Sequence, residues 1–229
     1  MNIPPQFAYL FLTAGFGIVW IFFFIRFPKT RKTQLIISAL SIPLGPIIEI
    51  LYFQDYWHPL SVLEFNLGPF RILIEDIAFV FFFTGLTGML AHISGKRAKN
   101  LDLKIPLGFL IGVGLISILI ALPLFYFGLN SILATSAGFL AIATIAAITK
   151  RQTLRYSVRC GLLTALTMFA VYFIQFHIVS NSEEMIRSTW LLYDKPVLGI
   201  RIAKVPLTEL VWGFSWGTMM GAVRHYIFG

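Results

Sequence analysis

Long apolar stretches separated by short polar ones dominate this chain. Runs at about 6–25, 34–53, 71–91, 107–126, 131–149, 160–179 and 207–227 stand out. Each approaches the roughly 20 residues a helix needs to cross a bilayer. The connections between them are too short to hold a soluble domain. The pattern predicts an all-α integral membrane protein with seven transmembrane helices.

Composition agrees with that pattern. The 229 residues are 58% hydrophobic and 12% charged, with a mean hydropathy of +0.83. A soluble domain carries about a quarter charged residues. The net charge of +8 would suit nucleic acid, but its placement excludes that partner. Arg26, Lys29, Arg31, Lys32, Lys96, Arg97, Lys99, Lys104, Lys150, Arg151, Arg155, Arg159 and Arg224 fall at alternate connections and the C-terminal end. Arg71, Arg187, Lys195, Arg201 and Lys204 share the others with acids. The positive-inside rule then puts the N-terminus outside and the C-terminus in the cytoplasm, in a cell membrane. Some attraction to anionic lipid follows. The first helix lacks the basic leader and small-residue cleavage site of a signal peptide. The single cysteine, Cys160, has no disulfide partner and no metal-ligand spacing.

The chain also resembles itself. Residues 74–90, "IEDIAFVFFFTGLTGML", align with 207–223, "LTELVWGFSWGTMMGAV". At this one offset Asp76 falls on Glu209, Phe79 on Trp212, Phe83 on Trp216, Gly88 on Gly221 and Trp57 on Trp190. Such self-similarity marks a repeat. It divides the chain into a first three-helix repeat (1–92), a connector with helix 4 (93–130) and a second three-helix repeat (131–229). An offset of four helices makes the 3+1+3 repeats parallel, with a site expected at their interface.

Four acids lie within apolar runs: Glu49, Glu75, Asp76 and Glu209. All fall near the outer ends of their helices. An intramembrane carboxylate is costly and usually faces the bundle interior. Phe79 and Phe83 follow Asp76 by three and seven residues, and Trp212 and Trp216 follow Glu209 likewise. Helical neighbours at those spacings share a face. An acid buried beside a second carboxylate keeps its proton and can protonate an alkene, and aromatic faces stabilise the resulting cation. Any one of these acids taken alone reads better as a helix-dipole partner, and the aromatics as an interfacial belt. Four acids at one depth on three helices favour a site.

These residues resemble the lycopene cyclase domain family of the heterodimeric and fungal-fusion type, with both repeats fused. The second half, "YDKPVLGIRIAKVPLTELVW" (193–212), matches the family pattern through Tyr193, Asp194, Gly199, Arg201, Pro206, Glu209 and Trp212. The first half contributes "IIEILYFQDYW" (47–57) and "LGPFRILIEDIAF" (67–79). Thr208 stands where the second motif has its first acid, and Leu73 where the first motif has proline. The resemblance implies a redox-neutral cyclisation of the linear end group of lycopene, or of a related carotenoid, to an ionone ring. It implies Glu75 and Asp76 as the acid pair and Glu209 as base or charge partner. Glu49, Trp57, Phe79, Trp190, Trp212 and Trp216 would line the substrate pocket.

The partners expected are therefore an apolar isoprenoid or carotenoid substrate and membrane lipid, with the oligomeric state open. No cofactor is expected: the dinucleotide fingerprint is missing, as is an aspartate-rich diphosphate motif. No metal site is expected, since His177 with Glu49 or Glu209 lacks ligand pairs at helical spacing. Two rival readings are a non-catalytic carotenoid or isoprenoid binder, favoured by Thr208, and a small-solute transporter with 3+1+3 helices. The transporter would need polar groups along its whole path, whereas here they concentrate in one layer.

Overall fold

The apolar runs fold as helices, and a computed structural model describes residues 1–68, 70–95, 107–191 and 198–228. The helices are α1 (Ala8–Arg26), α2 (Arg31–Ser41), α3 (Leu44–Tyr52), α4 (Ile74–Ser94), α5 (Leu107–Tyr126), α6 (Ser131–Thr149), α7 (Gln152–Ile178), α8 (Ser182–Thr189) and α9 (Leu207–Phe228). Two antiparallel hairpins join them: β1 (Glu64–Leu67) with β2 (Phe70–Leu73), and β3 (Arg201–Ile202) with β4 (Val205–Pro206). The protein is mainly helical, and it is a membrane protein by the length and apolarity of its helices. Pro5–Arg26, α4, α6 and α7 each qualify as a span among the described residues, and the bent α2–α3 pair makes up to five. The basic cluster at 96–104 and the motif residues Tyr193 and Asp194 lie outside the described residues.

Three boundaries differ from the apolar pattern. The second run is two helices, bent by 47°. Pro43 separates them: its ring locks φ and it has no N–H for the helix ladder. Gly45 then brings α3 close to α4, since a Cβ there would lie 3.0 Å from both N and Cα of Ile77. The third run opens as strand β2, because a short apolar stretch fits strand or helix equally. Gly68, at φ +61°, supplies the left-handed residue of its turn. In the second hairpin Ala203 and Lys204 both take positive φ, 48° and 70°, as a two-residue turn matched to strand twist requires. Helix α7 begins before its apolar run, so Arg155 and Arg159 are helical.

Close contacts divide the chain into two units: residues 1–86 with 169–207, and residues 87–168 with 208–229. The first unit buries Tyr9, Phe16, Tyr56, Leu73, Phe83, Tyr172, Phe176 and Trp190. Its N-terminal segment is tied to the end of α7. Ser180 N donates to Met1 O at 2.8 Å, and Asn181 accepts from Ile3 N at 3.0 Å while donating to Ile3 O at 2.7 Å. The second unit packs through small residues, as membrane helices commonly do. A Cβ on Gly221 would meet Cys160 Cβ and Ser157 Cα, each at 2.8 Å. Ser157 and Thr164 hydroxyls donate back to Thr153 O (2.8 Å) and Cys160 O (2.9 Å), which satisfies them without an outside partner.

Candidate active site

The first turn of α4 carries Glu75 and Asp76, both buried. Adjacent helical residues point about 100° apart, and these two side chains have different surroundings. Glu75 turns to the loop before β1. It accepts from Ser61 Oγ at 2.6 Å, Val62 N at 2.8 Å and Leu63 N at 3.4 Å. Ile74 N in turn donates to Leu63 O at 3.0 Å. The Glu75 carboxyl thus closes this loop onto the helix start.

Asp76 turns inward. Its Oδ1 accepts a hydrogen bond from the Tyr9 hydroxyl of α1. Its other side faces the Glu49 carboxyl of α3 and the Trp57 indole. Yet Asp76 Oδ2, both Glu49 carboxyl oxygens and Trp57 Nε1 are buried without reaching hydrogen-bond geometry. Buried polar atoms are nearly always partnered, so such exceptions call for a reason. Here four of them gather at one spot.

Arg71 on β2 caps this group from the loop side. Its Nη1 lies 3.6 Å from Glu49 Oε1. Nε and Nη2 donate to Glu64 Oε2 at 2.9 and 2.6 Å, and Nη2 also reaches Pro59 O at 3.3 Å. The guanidinium sits 5.5 Å over the Phe53 ring.

An aromatic wall continues inward from the carboxyls. Tyr9 meets Trp57 edge-on at 4.9 Å and Phe79 at 6.4 Å. Phe79 and Phe83 stack at 5.4 Å, and Phe16 stands edge-on to both and to Tyr172. Trp57 meets Trp190 at 5.0 Å, and Trp190 packs on Tyr172 and Phe176 at 6.0 Å each.

Glu49, Trp57, Asp76, Phe79 and Trp190 thus come together in the first unit. In the second unit Glu209 is buried in the first turn of α9 beside buried Thr208. Trp212 and Trp216 stack at 5.9 Å, and Phe139 of α6 meets Trp216 edge-on at 5.0 Å. The sequence reading missed Tyr9 and underrated Arg71. A tyrosine hydroxyl inside an apolar run needs a partner, and the buried acids were the acceptors on offer. Arg71 read as an ordinary loop charge because its reach to Glu49 depends on the hairpin.

No curated protein and no solved structure matches the chain. Residues 130–227 match the model of the lycopene cyclase family. That segment runs through α6 to α9 and holds Trp190, Glu209, Trp212 and Trp216. By this match, residues 130–227 are similar to a lycopene cyclase domain.

Proposed function

We propose that the chain is a carotenoid cyclase that closes the linear end group of lycopene, or of a related carotenoid, into an ionone ring by acid catalysis. The observation that carries this reading is the cluster of buried polar atoms on Asp76, Glu49 and Trp57, which face one another and Arg71 without reaching hydrogen-bond geometry, beside the rings of Phe79, Phe16 and Phe83. A polyene offers no hydrogen bonds of its own. It takes only a proton, and the charge left behind needs rings around it.

In this reaction Asp76 gives a proton to the terminal double bond of the end group. The cation closes onto the neighbouring double bond, forming the ring carbon–carbon bond. A base then removes a proton from a carbon next to the cation and restores an alkene. One proton enters and one leaves, so the step is an isomerisation. Asp76 and Glu75 form the acid pair. The two divide the work: Asp76 faces the rings, while Glu75 holds the 61–63 loop against the helix that carries Asp76. Glu209 is the base or charge partner, assigned by its place in the second motif. Glu49 supports the acid pair, and Trp57, Phe79, Trp190, Trp212 and Trp216 line the substrate.

The 3+1+3 arrangement of seven spans as parallel repeats belongs to this reading. It is supported by the starts of α4 and α9, Ile74 and Leu207, which keep the offset that aligns their sequences. A hairpin precedes each helix. The pair Arg71–Glu49 at 3.6 Å recurs at the same offset as Lys204–Ser182 at 2.9 Å.

The test is expression in a lycopene-accumulating bacterium with chromatography of the pigments. Cyclised products are expected. Lycopene left unchanged by well-expressed, membrane-inserted protein would sink the proposal, and unchanged lycopene co-purifying with it would point to a binder.

A further inference from the structure

Asp76 has two oxygens in unlike settings. Oδ1 accepts the Tyr9 hydroxyl, while Oδ2 is buried on the side of Glu49 and Trp57 and reaches hydrogen-bond geometry with neither. A neutral carboxyl has one carbonyl oxygen, which accepts, and one hydroxyl oxygen, which donates. A donor fixed on Oδ1 makes that atom the carbonyl and puts the proton on Oδ2. Tyr9 is itself held: it is 1% exposed and wedged edge-on against Trp57 at 4.9 Å, so its hydroxyl has little freedom to swing away. Once Oδ2 has given up its proton, the same hydroxyl donates to a carboxylate, and hydrogen bonds to charged groups are the stronger ones. The bond thus strengthens as the proton leaves, which favours the transition state over the ground state.

We infer that Tyr9 is a positioning residue that commits Oδ2 of Asp76 to proton donation and steadies the carboxylate left behind. The inference rests on Asp76 being the acid of the proposed cyclase. It does not require Tyr9 to touch substrate.

The experiment uses the full chain in lipid nanodiscs, with Tyr9→Phe, Asp76→Asn and the double variant. Phenylalanine keeps the ring against Trp57, and thermal unfolding checks that the fold survives. Infrared spectroscopy gives a readout independent of turnover. The carboxyl stretch that vanishes in Asp76→Asn should move to higher wavenumber in Tyr9→Phe, because its carbonyl oxygen has lost a donor. With lycopene as substrate, kcat of Tyr9→Phe should fall roughly 10–100-fold with little change in KM, the scale of one hydrogen bond to a charged group. In the Asp76→Asn background, Tyr9→Phe should cost nothing further. Should Tyr9→Phe fail to accumulate, Tyr9→Gln retains an N–H donor and must keep the stretch low. An unmoved carboxyl stretch, or losses that add fully in the double variant, would overturn the inference. A moved stretch in a protein that leaves lycopene untouched would instead overturn the cyclase reading, and the donor role with it.

Discussion

Trp57 and Trp190 pair their backbones as an antiparallel bridge and set their indoles edge to face, 5.0 Å apart at 71°. His58 N donates to Thr189 O and Leu191 N to Tyr56 O, both at 2.9 Å, on either side of the bridge. These tryptophans are the two that the internal alignment superposes. Antiparallel pairing of equivalent residues has the local symmetry of a two-fold axis. Yet the rings have different neighbours. Trp190 packs on Tyr172 and Phe176, while Trp57 faces Tyr9 and Asp76.

The two positions should therefore fail differently. Trp190→Ala removes a side chain that is 1% exposed, and loss of a buried aromatic costs about 3–5 kcal/mol. A clear drop in thermal stability in detergent is expected. Trp57→Phe keeps an aromatic body but deletes the N–H that faces Asp76. Stability should change by less than about 1.5 kcal/mol, with a larger loss of pigment conversion. Equal stability losses in both variants would show that Trp57 is packing alone.

Glu75→Gln probes the loop. The carboxylate collects three donors from Ser61, Val62 and Leu63. An amide still accepts, but it gives up the charge-assisted part, worth about 1.5–3 kcal/mol where fully developed. Limited proteolysis should become faster within residues 59–63, and pigment conversion should fall less than in Asp76→Asn. If Glu75→Gln abolishes conversion while the loop stays resistant, Glu75 is itself the proton donor.

Much of this fold is legible in the sequence because membrane helices are set by apolar length. Helix α6, at Ser131–Thr149, has the limits of its apolar run. The stack of Phe79 on Phe83 follows from helical spacing alone. The hairpins are not legible, since four-residue strands leave no period to count, and β2 merges into the apolar run of α4. The bend at Pro43 was written in the sequence but hidden by the hydropathy on both sides. In the site, helical spacing placed rings beside Asp76. It could not place Tyr9, Arg71 or the Glu75 loop, because those contacts join elements far apart in the chain.

The orientation we propose rests on charge placement. Arg26, Lys29, Arg31 and Lys32 lie together between α1 and the start of α2, and Lys150, Arg151, Arg155 and Arg159 lie at the start of α7. Basic clusters of this kind stay on the cytoplasmic side. A reporter fused after Gly229 should read cytoplasmic, and one placed before Met1 external. An external signal from the C-terminal fusion would reverse the orientation and move the carboxyl cluster to the inner leaflet.

The equivalent pairs Arg71–Glu49 and Lys204–Ser182 separate the chemistry of the site from the architecture of the repeat. Each links a residue of a hairpin to a buried residue of a helix. Both ties hold a hairpin in place, but Glu49 adds a carboxyl that faces Asp76, and Ser182 adds only a hydroxyl. If conversion depends on that carboxyl, the two positions must respond unequally. Glu49→Gln preserves shape and removes the titratable group beside the acid. Conversion of lycopene should fall by about 10²-fold, the lower end of what an acid–base group contributes. Ser182→Ala breaks the 2.9 Å hydrogen bond from Lys204 Nζ, which should cost about 1 kcal/mol of stability and leave conversion within about twofold at equal protein levels. Pigment ratios in the lycopene strain measure one effect, and thermal unfolding of purified protein the other. Equal losses of conversion at the two positions would mean that hairpin placement, rather than the Glu49 carboxyl, is what the reaction needs.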